Sequence, residues 1–182
     1  MNTLSICKSI SRKFWLCLFY GLANHLPNSY TRLVGAPSNK FRIFCCKHIF
    51  KKCGKVSTIN HHCDFGNGSE VEIDDYSGIG AYCMIPGDIK IGKYVMMAPH
   101  VTIFSRNHSF VDIDKPMCFQ GFSPSKQTVI EDNVWIGQSV ILTVGHLIGS
   151  GSIIAAGSVV VKDVEKNSIV GGNPAKLIKY RV

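Results

Sequence analysis

From Ile73 onward the chain keeps time in sixes. Ile73, Ile79, Ile85, Ile91, Met97 and Ile103 are followed, after an interruption, by Ile130, Ile136, Leu142, Ile148, Ile154 and Val160, so all twelve marked positions are aliphatic or Met. Glycine follows the marker at Gly80, Gly92, Gly137 and Gly149. Two residues before a marker stand small or β-branched side chains: Ser77, Cys83, Val95, Val101, Val134, Val140, Ser152 and Ser158. A helix repeats every 3.6 residues and a strand every 2, so neither alone gives this spacing. Six residues suit one short strand plus one turn, which predicts strands on the faces of a coil whose turns stack about 4.8 Å apart with the markers inward.

The beat fails between Ile103 and Ile130, an interval that is not a multiple of six, which predicts that the chain leaves the coil and re-enters in a new phase. Loops of more than about 12 to 15 residues are uncommon in compact domains and tend to be functional or disordered. This one holds Phe104, Phe110, Met117, Phe119 and Phe122, so it is expected to pack on a neighbour and wall a pocket. His108 stands at its start, just after a strand that can aim it.

Ahead of the repeat, residues 41–52 (FRIFCCKHIFKK) read as a basic, half-apolar helix closing the open end of the coil. The apolar run Phe14 to Ala23 follows Lys8, Arg12 and Lys13, but lacks a small-residue cleavage site and is well short of the roughly 20 residues of a membrane span. It reads as an amphipathic helix that either packs on the domain or lies on a membrane surface.

At 182 residues, 46% hydrophobic and 18% charged, the chain suits one folded domain with an appendage rather than a disordered protein. A net charge of +8 favours anionic partners such as phosphates or lipid head groups; nucleic acid is not expected among them. Eight cysteines without a CxxC pair suit reduced thiols, and Cys53, His61, His62 and Cys63 match no standard zinc spacing.

The stretches NVWIG (133–137), IIAAGSVVVKDV (153–164) and IVGGNPAKLIKY (169–180) resemble the coenzyme A-dependent O-acetyltransferases of the maltose and galactoside type, within the hexapeptide-repeat family. NHSF and MCFQGF in the loop are most similar to the branch found in capsule, O-antigen and exopolysaccharide gene sets. The resemblance implies an all-β fold, a left-handed parallel β-helix with three hexads per turn and about five coils. Residues 1–53 would form a helical appendage and cap, 54–165 the β-helix with an irregular first coil and an extruded loop at 104–129, and 166–182 a short tail or helix.

It further implies acetyl transfer from acetyl-CoA to a sugar hydroxyl of a bacterial surface polysaccharide or its precursor, without a metal or an acyl-enzyme. His108, beside Asn107, takes the place of the family's general base, a role suited to a side chain that titrates near neutrality. Asn107, Asp112, Asp114, Glu131 or a backbone carbonyl could orient it. Trp135, Gly137, Gln138, Ala155 and Ala156, with Gly157, correspond to the wall along the coenzyme's arm, and Lys162, Lys176 and Lys179 to the cations for its phosphates. The implied assembly is a cytoplasmic homotrimer with sites between subunits, with peripheral contact to the inner membrane face open to the N-terminal helix.

Departures from the family pattern bear on the acceptor. The family's acceptor-contacting Asn and Asp fall on Gly78 and Pro86, which points away from maltose or a galactoside; Ser77, Tyr82 and His100 are the candidate replacements. Thr143-Val144-Gly145-His146 stands for the usual LPGV step, and His146 is expected inward or at a corner, hydrogen-bonded to backbone. Alternative readings are an N-acetyltransferase on an amino sugar, a zinc carbonic-anhydrase-like enzyme drawing on His100, His108 and His146, and a solenoid without catalysis. Cys118 is the covalent alternative to His108.

Overall fold

The computed structural model describes residues 3–182. Two helices, α1 (Thr3–Gly21) and α2 (Gly35–Ile49), precede a left-handed parallel β-helix built from two-residue strands. Its first face stacks Lys52–Cys53, Glu72–Ile73, Lys90–Ile91, Val129–Ile130 and Leu147–Ile148; its second stacks Thr58–Ile59, Gly78–Ile79, Met96–Met97, Trp135–Ile136, Ile153–Ile154 and Ser168–Gly171. The third stacks Thr102–Ile103, Ile141–Leu142 and Val159–Val160, extended downward by bridges through Met84 to Asp64. Five coils close and a sixth begins. Every marker residue is buried, and the side chains two before it fill the same core, His146 before Ile148 excepted. Backbone N–H groups donate from each coil to the next, so the ladder runs unbroken along the axis.

The glycines after the markers have a measurable reason. A Cβ on Gly80 would lie 2.4 Å from the carbonyl carbon of Ala98, one on Gly137 2.5 Å from the amide of Ala156, and one on Gly149 2.5 Å from the amide of Lys166. Backbone of the next coil occupies that space, so no side chain fits.

The expected change of phase at the loop does not occur. Lys90 pairs with Val129 and Thr102 with Ile141, so the chain returns to the next face in order. The step from Thr102 to Val129 is one normal hexad plus an insertion. The ladder hydrogen bonds fix the winding, and the excess hangs outside. The first coil begins at Lys52 and is irregular at one corner only, where the step from Asp64 to Glu72 is longer than a hexad and Gly66 and Gly68 adopt φ of +59°.

Helix α2 starts earlier than the sequence suggests, with Pro37 tolerated in its first turn. Its Arg42 is fully buried with no ion-pair partner among the described residues. The guanidinium instead donates to the carbonyls of Ile59 (2.7 Å), Leu26 and Pro27 (3.2 Å each) and to Ser29 Oγ (2.9 Å), tying α2 and the preceding segment to the first coil. Phe19 from α1 and Phe65 from the coil close the end beneath. The C-terminus is neither a loose tail nor a helix: Lys176–Tyr180 returns antiparallel to Ser168–Gly171, because the last parallel strand leaves an unpaired edge that the turn at Gly172 folds the chain back to cover.

Candidate active site

The extruded loop is held shut at its neck. His108 and Phe122 bridge antiparallel, Ser109 N–H donates to Gly121 O, and Ser123 N–H and Oγ–H both donate to Asn107 O. At its tip the Gln120 amide donates to Asp112 O and Lys115 O while accepting from Asp112 N–H. The His108 ring lies exposed, 4.4 Å from the Phe122 ring, which carries the Arg106 guanidinium on its face at 4.5 Å. None of the named orienting groups bonds to it: Asp112 caps Asp114 N–H, and Glu131 accepts from Ser150 N–H. The loop's apolar residues, Ile113 and Phe119 among them, face outward rather than onto their own coil.

Trp135 stands on the outside of the second face at the head of a groove of about 260 Å³, with Tyr30, Thr58, Tyr76, Gly78 and Met96 along it. Aromatic rings stack at both corners bounding this face: Tyr76 on Tyr94 at 5.2 Å, and His62 on Tyr82 on His100 at 5.0 Å each. All five have positive φ, between 55° and 63°. Left-handed backbone costs a non-glycine residue about 1 kcal/mol or more, and stacking onto the next coil offsets part of that. Tyr82 and His100 therefore belong to one built corner. The Tyr76 and Tyr94 pair escaped the sequence reading, although each lies three before a marker and the two sit one coil apart.

Ser77 is not on this surface. It is fully buried, donating to Gly92 O and accepting from Val95 N–H, because the position two before a marker points into the core. Gly137 is likewise buried against Ala156, so its small size serves coil stacking. Ala156, Gly157 and Gln138 are exposed and Ala155 half-buried, and nothing lies within 4 Å of where a Cβ on Gly157 would stand.

Lys162 and Lys176 meet in a cavity of about 300 Å³ with Val161, Ala175, Asp163 and Glu165. Both carboxylates there are engaged, Asp163 by Leu147 N–H and Glu165 by the Tyr180 hydroxyl, and neither lysine has an ion-pair partner among the described residues. Lys179 lies on the return strand opposite Ile169, outside that cavity. A larger concavity, about 450 Å³ on the first face, is lined by Glu72, Asp74, Glu131 and Asp132, whose charge is wrong for phosphates.

His146 is half-buried at a corner, but its partners are side chains rather than backbone. Nε2 lies 2.7 Å from Thr143 Oγ1 and Nδ1 3.4 Å from Asp163. The Asp163 carboxyl is held below its usual range first by the Leu147 N–H and then by His146. His100, His108 and His146 occupy a corner stack, the loop and another corner, and no three His, Cys, Asp or Glu converge as metal ligands among the described residues.

No protein-family model matches the chain. Over 118 residues, 65% of this chain, it is 35% identical to a candidate acetyltransferase of Saccharomyces cerevisiae, YJL218W, and spans 59% of that protein. It is 30% identical to galactoside O-acetyltransferase of Escherichia coli K12 over 135 residues, 73% of this chain and 65% of the relative. A candidate lipopolysaccharide-biosynthesis O-acetyl transferase of the same organism, WbbJ, is 31% identical over 126 residues, 63% of this chain and 62% of its own length. The chain thus spans less than two thirds of each of these relatives. In three dimensions it matches a maltose O-acetyltransferase from Clostridium difficile 630 with a TM-score of 0.72 and 26% identity, covering 100% of this chain and 90% of that one. A galactoside acetyltransferase in complex with coenzyme A gives 0.73 and 27%, covering 95% and 82%. With its six-residue beat wound into this solenoid, the chain has the fold of the hexapeptide-repeat acetyltransferases, and the relatives it resembles include galactoside and maltose O-acetyltransferases.

Proposed function

We propose that the protein transfers an acetyl group from acetyl-CoA to a hydroxyl of a sugar in a bacterial surface polysaccharide or its precursor. The observation that carries the donor assignment is the meeting of Lys162 and Lys176, from different strands, in one cavity with no carboxylate claiming either. Two ammonium groups without an ion-pair partner among the described residues suit the phosphates of a coenzyme, and the open backbone at Gly157, outside that cavity, suits its arm. The acceptor lies at the aromatic corner of Tyr82 and His100, on the border of the second-face groove, and Trp135 at the head of that groove flanks the coenzyme's arm.

In the proposed reaction the sugar oxygen attacks the thioester carbonyl carbon as the His108 imidazole takes the hydroxyl proton. The tetrahedral intermediate then expels the thiolate of coenzyme A, which recovers that proton from the imidazolium. The acetyl ester forms as the C–S bond breaks, with no acyl-enzyme. Base assistance of this kind contributes about 10² to 10⁴ in rate.

His108 sits on a loop leaving the corner between the third and first faces, whereas Trp135 opens outward on the second. That separation and the exposed apolar loop support a homotrimer in which the loop of one copy reaches the groove of the next. An N-acetyltransferase on an amino sugar uses the same groups, and product analysis separates the two. The first test is calorimetry of acetyl-CoA on the purified protein and on Lys162→Ala/Lys176→Ala. Micromolar binding that the double variant loses supports the assignment, and no binding to the intact protein overturns it.

A further inference from the structure

The charge of this chain is segregated. Residues 1–55 contain 10 Lys and Arg and no Asp or Glu, while residues 56–182 contain 10 against 12, so the net +8 is +10 at the N-terminal end and −2 elsewhere. Among the described residues the structure uses three of these: Arg42 is buried among carbonyls, and Lys51 and Lys52 pair with Glu70, Glu72 and Asp74. Arg12, Lys13, Arg32, Lys40, Lys47 and Lys55 have no ion-pair partner among the described residues.

The same end carries an apolar patch. Ile10 and Phe14 stand one turn apart on α1, hence on one face, and are 63% and 61% exposed. Trp15 joins Phe14 to Phe44 of α2, with ring centroids 5.3 Å apart in each pair, and stacks on His48 at 4.2 Å. Phe44 is 49% exposed and has Lys40 one turn before it and Lys47 one turn after, on its own helix face. The opposite side of α1, with Phe19, already covers the end of the coil, so the patch is not needed to close the fold.

We infer that this cap is a docking surface for an anionic lipid bilayer, with Ile10, Phe14 and Phe44 entering the headgroup boundary and Lys13, Lys40 and Lys47 pairing with lipid phosphates. Apolar rings ringed by lysines, and no acidic side chain within the whole segment, match a surface that is negative outside and apolar beneath. A second copy of the cap fits worse, because each carries the same +10 and like charges repel. No helix of the described residues is long and apolar enough to cross a membrane, so the contact is interfacial. The inference stands apart from the acetyl-transfer reading.

The test is co-sedimentation of the full chain with vesicles of phosphatidylcholine alone and of one part phosphatidylglycerol to two parts phosphatidylcholine, at low and high salt. Partition onto the anionic vesicles alone is expected, weakened by salt. It should fall at least tenfold in Phe14→Glu/Phe44→Glu and, separately, in Lys40→Glu/Lys47→Glu, with the thermal melt and circular dichroism reporting that both variants remain folded. All four positions are exposed, so neither pair removes a side chain from the core. An intact protein that stays in the supernatant, or binds neutral vesicles equally, overturns the inference, as does a folded Phe variant that binds like the parent. Retention of duplex DNA in place of vesicles would reassign the basic surface to nucleic acid and overturn it as well.

Discussion

His108 packs on Phe122 and has no side-chain hydrogen bond among the described residues, so its assigned role makes a sharp demand. His108→Ala is expected to lower kcat by about 10² to 10⁴ while acetyl-CoA affinity measured by calorimetry stays unchanged. Asp163 makes a different demand. Its carboxyl is held low mainly by the Leu147 N–H and secondarily by His146, and it is largely exposed. A depressed carboxylate stabilises the fold above its unfolded pKa, and that contribution is lost as pH falls through the folded value. Asp163→Asn should therefore flatten the acid limb of the melting curve below about pH 4 and leave stability at pH 7 lower than the parent's. Residue identities in the loop and along the coil were legible in the sequence because the markers fix the register. Ser77 belongs to the core rather than to an acceptor pocket for the same reason, since a small side chain two before a marker points inward, whereas the larger His146 at the same place turns to a corner.

At the scale of the element, the coil's weak point is its tightest approach. Gly80→Ala places a methyl group 2.4 Å from backbone of the next coil, which no rotamer change relieves. Overpacking of this kind costs about 1 to 3 kcal/mol, and for a chain of this size each kcal/mol lowers Tm by about 2 to 4 °C. A scanning calorimeter should record a fall of several degrees, and an unchanged Tm would mean that the coils are looser than the contacts suggest. The hexads, being local repeats, could be read one by one. The excursion could be counted but its winding could not: the gap between markers announces an insertion, yet only the pairing of Lys90 with Val129 and Thr102 with Ile141 tells that no face is skipped. The C-terminal return strand escaped notice because its partner is the last coil, a contact that no periodicity encodes.

For the whole molecule, burial should sort the thiols. Cys17 and Cys118 are exposed, whereas Cys45, Cys46, Cys63 and Cys83 are buried, with burial pushing the Cys83 thiol up to about 11. At pH 8 an aromatic disulfide reagent should modify Cys17 and Cys118 quickly and the other four only on unfolding; fast reaction of Cys46 would show that the cap opens. If sites form between copies, mixing His108→Ala with Lys162→Ala/Lys176→Ala subunits should restore part of the activity that each lacks alone, and failure to complement would confine each site to one chain. The sequence by itself determined the solenoid and its core, because a hydrophobic position every six residues satisfies only a backbone that turns every six residues. Tertiary structure alone decided which distant groups meet: Lys162 with Lys176, His146 with Asp163, Phe14 with Phe44 through Trp15. Those meetings depend on how coils stack and how the ends fold back, and local periodicity carries no record of contacts between residues far apart along the chain.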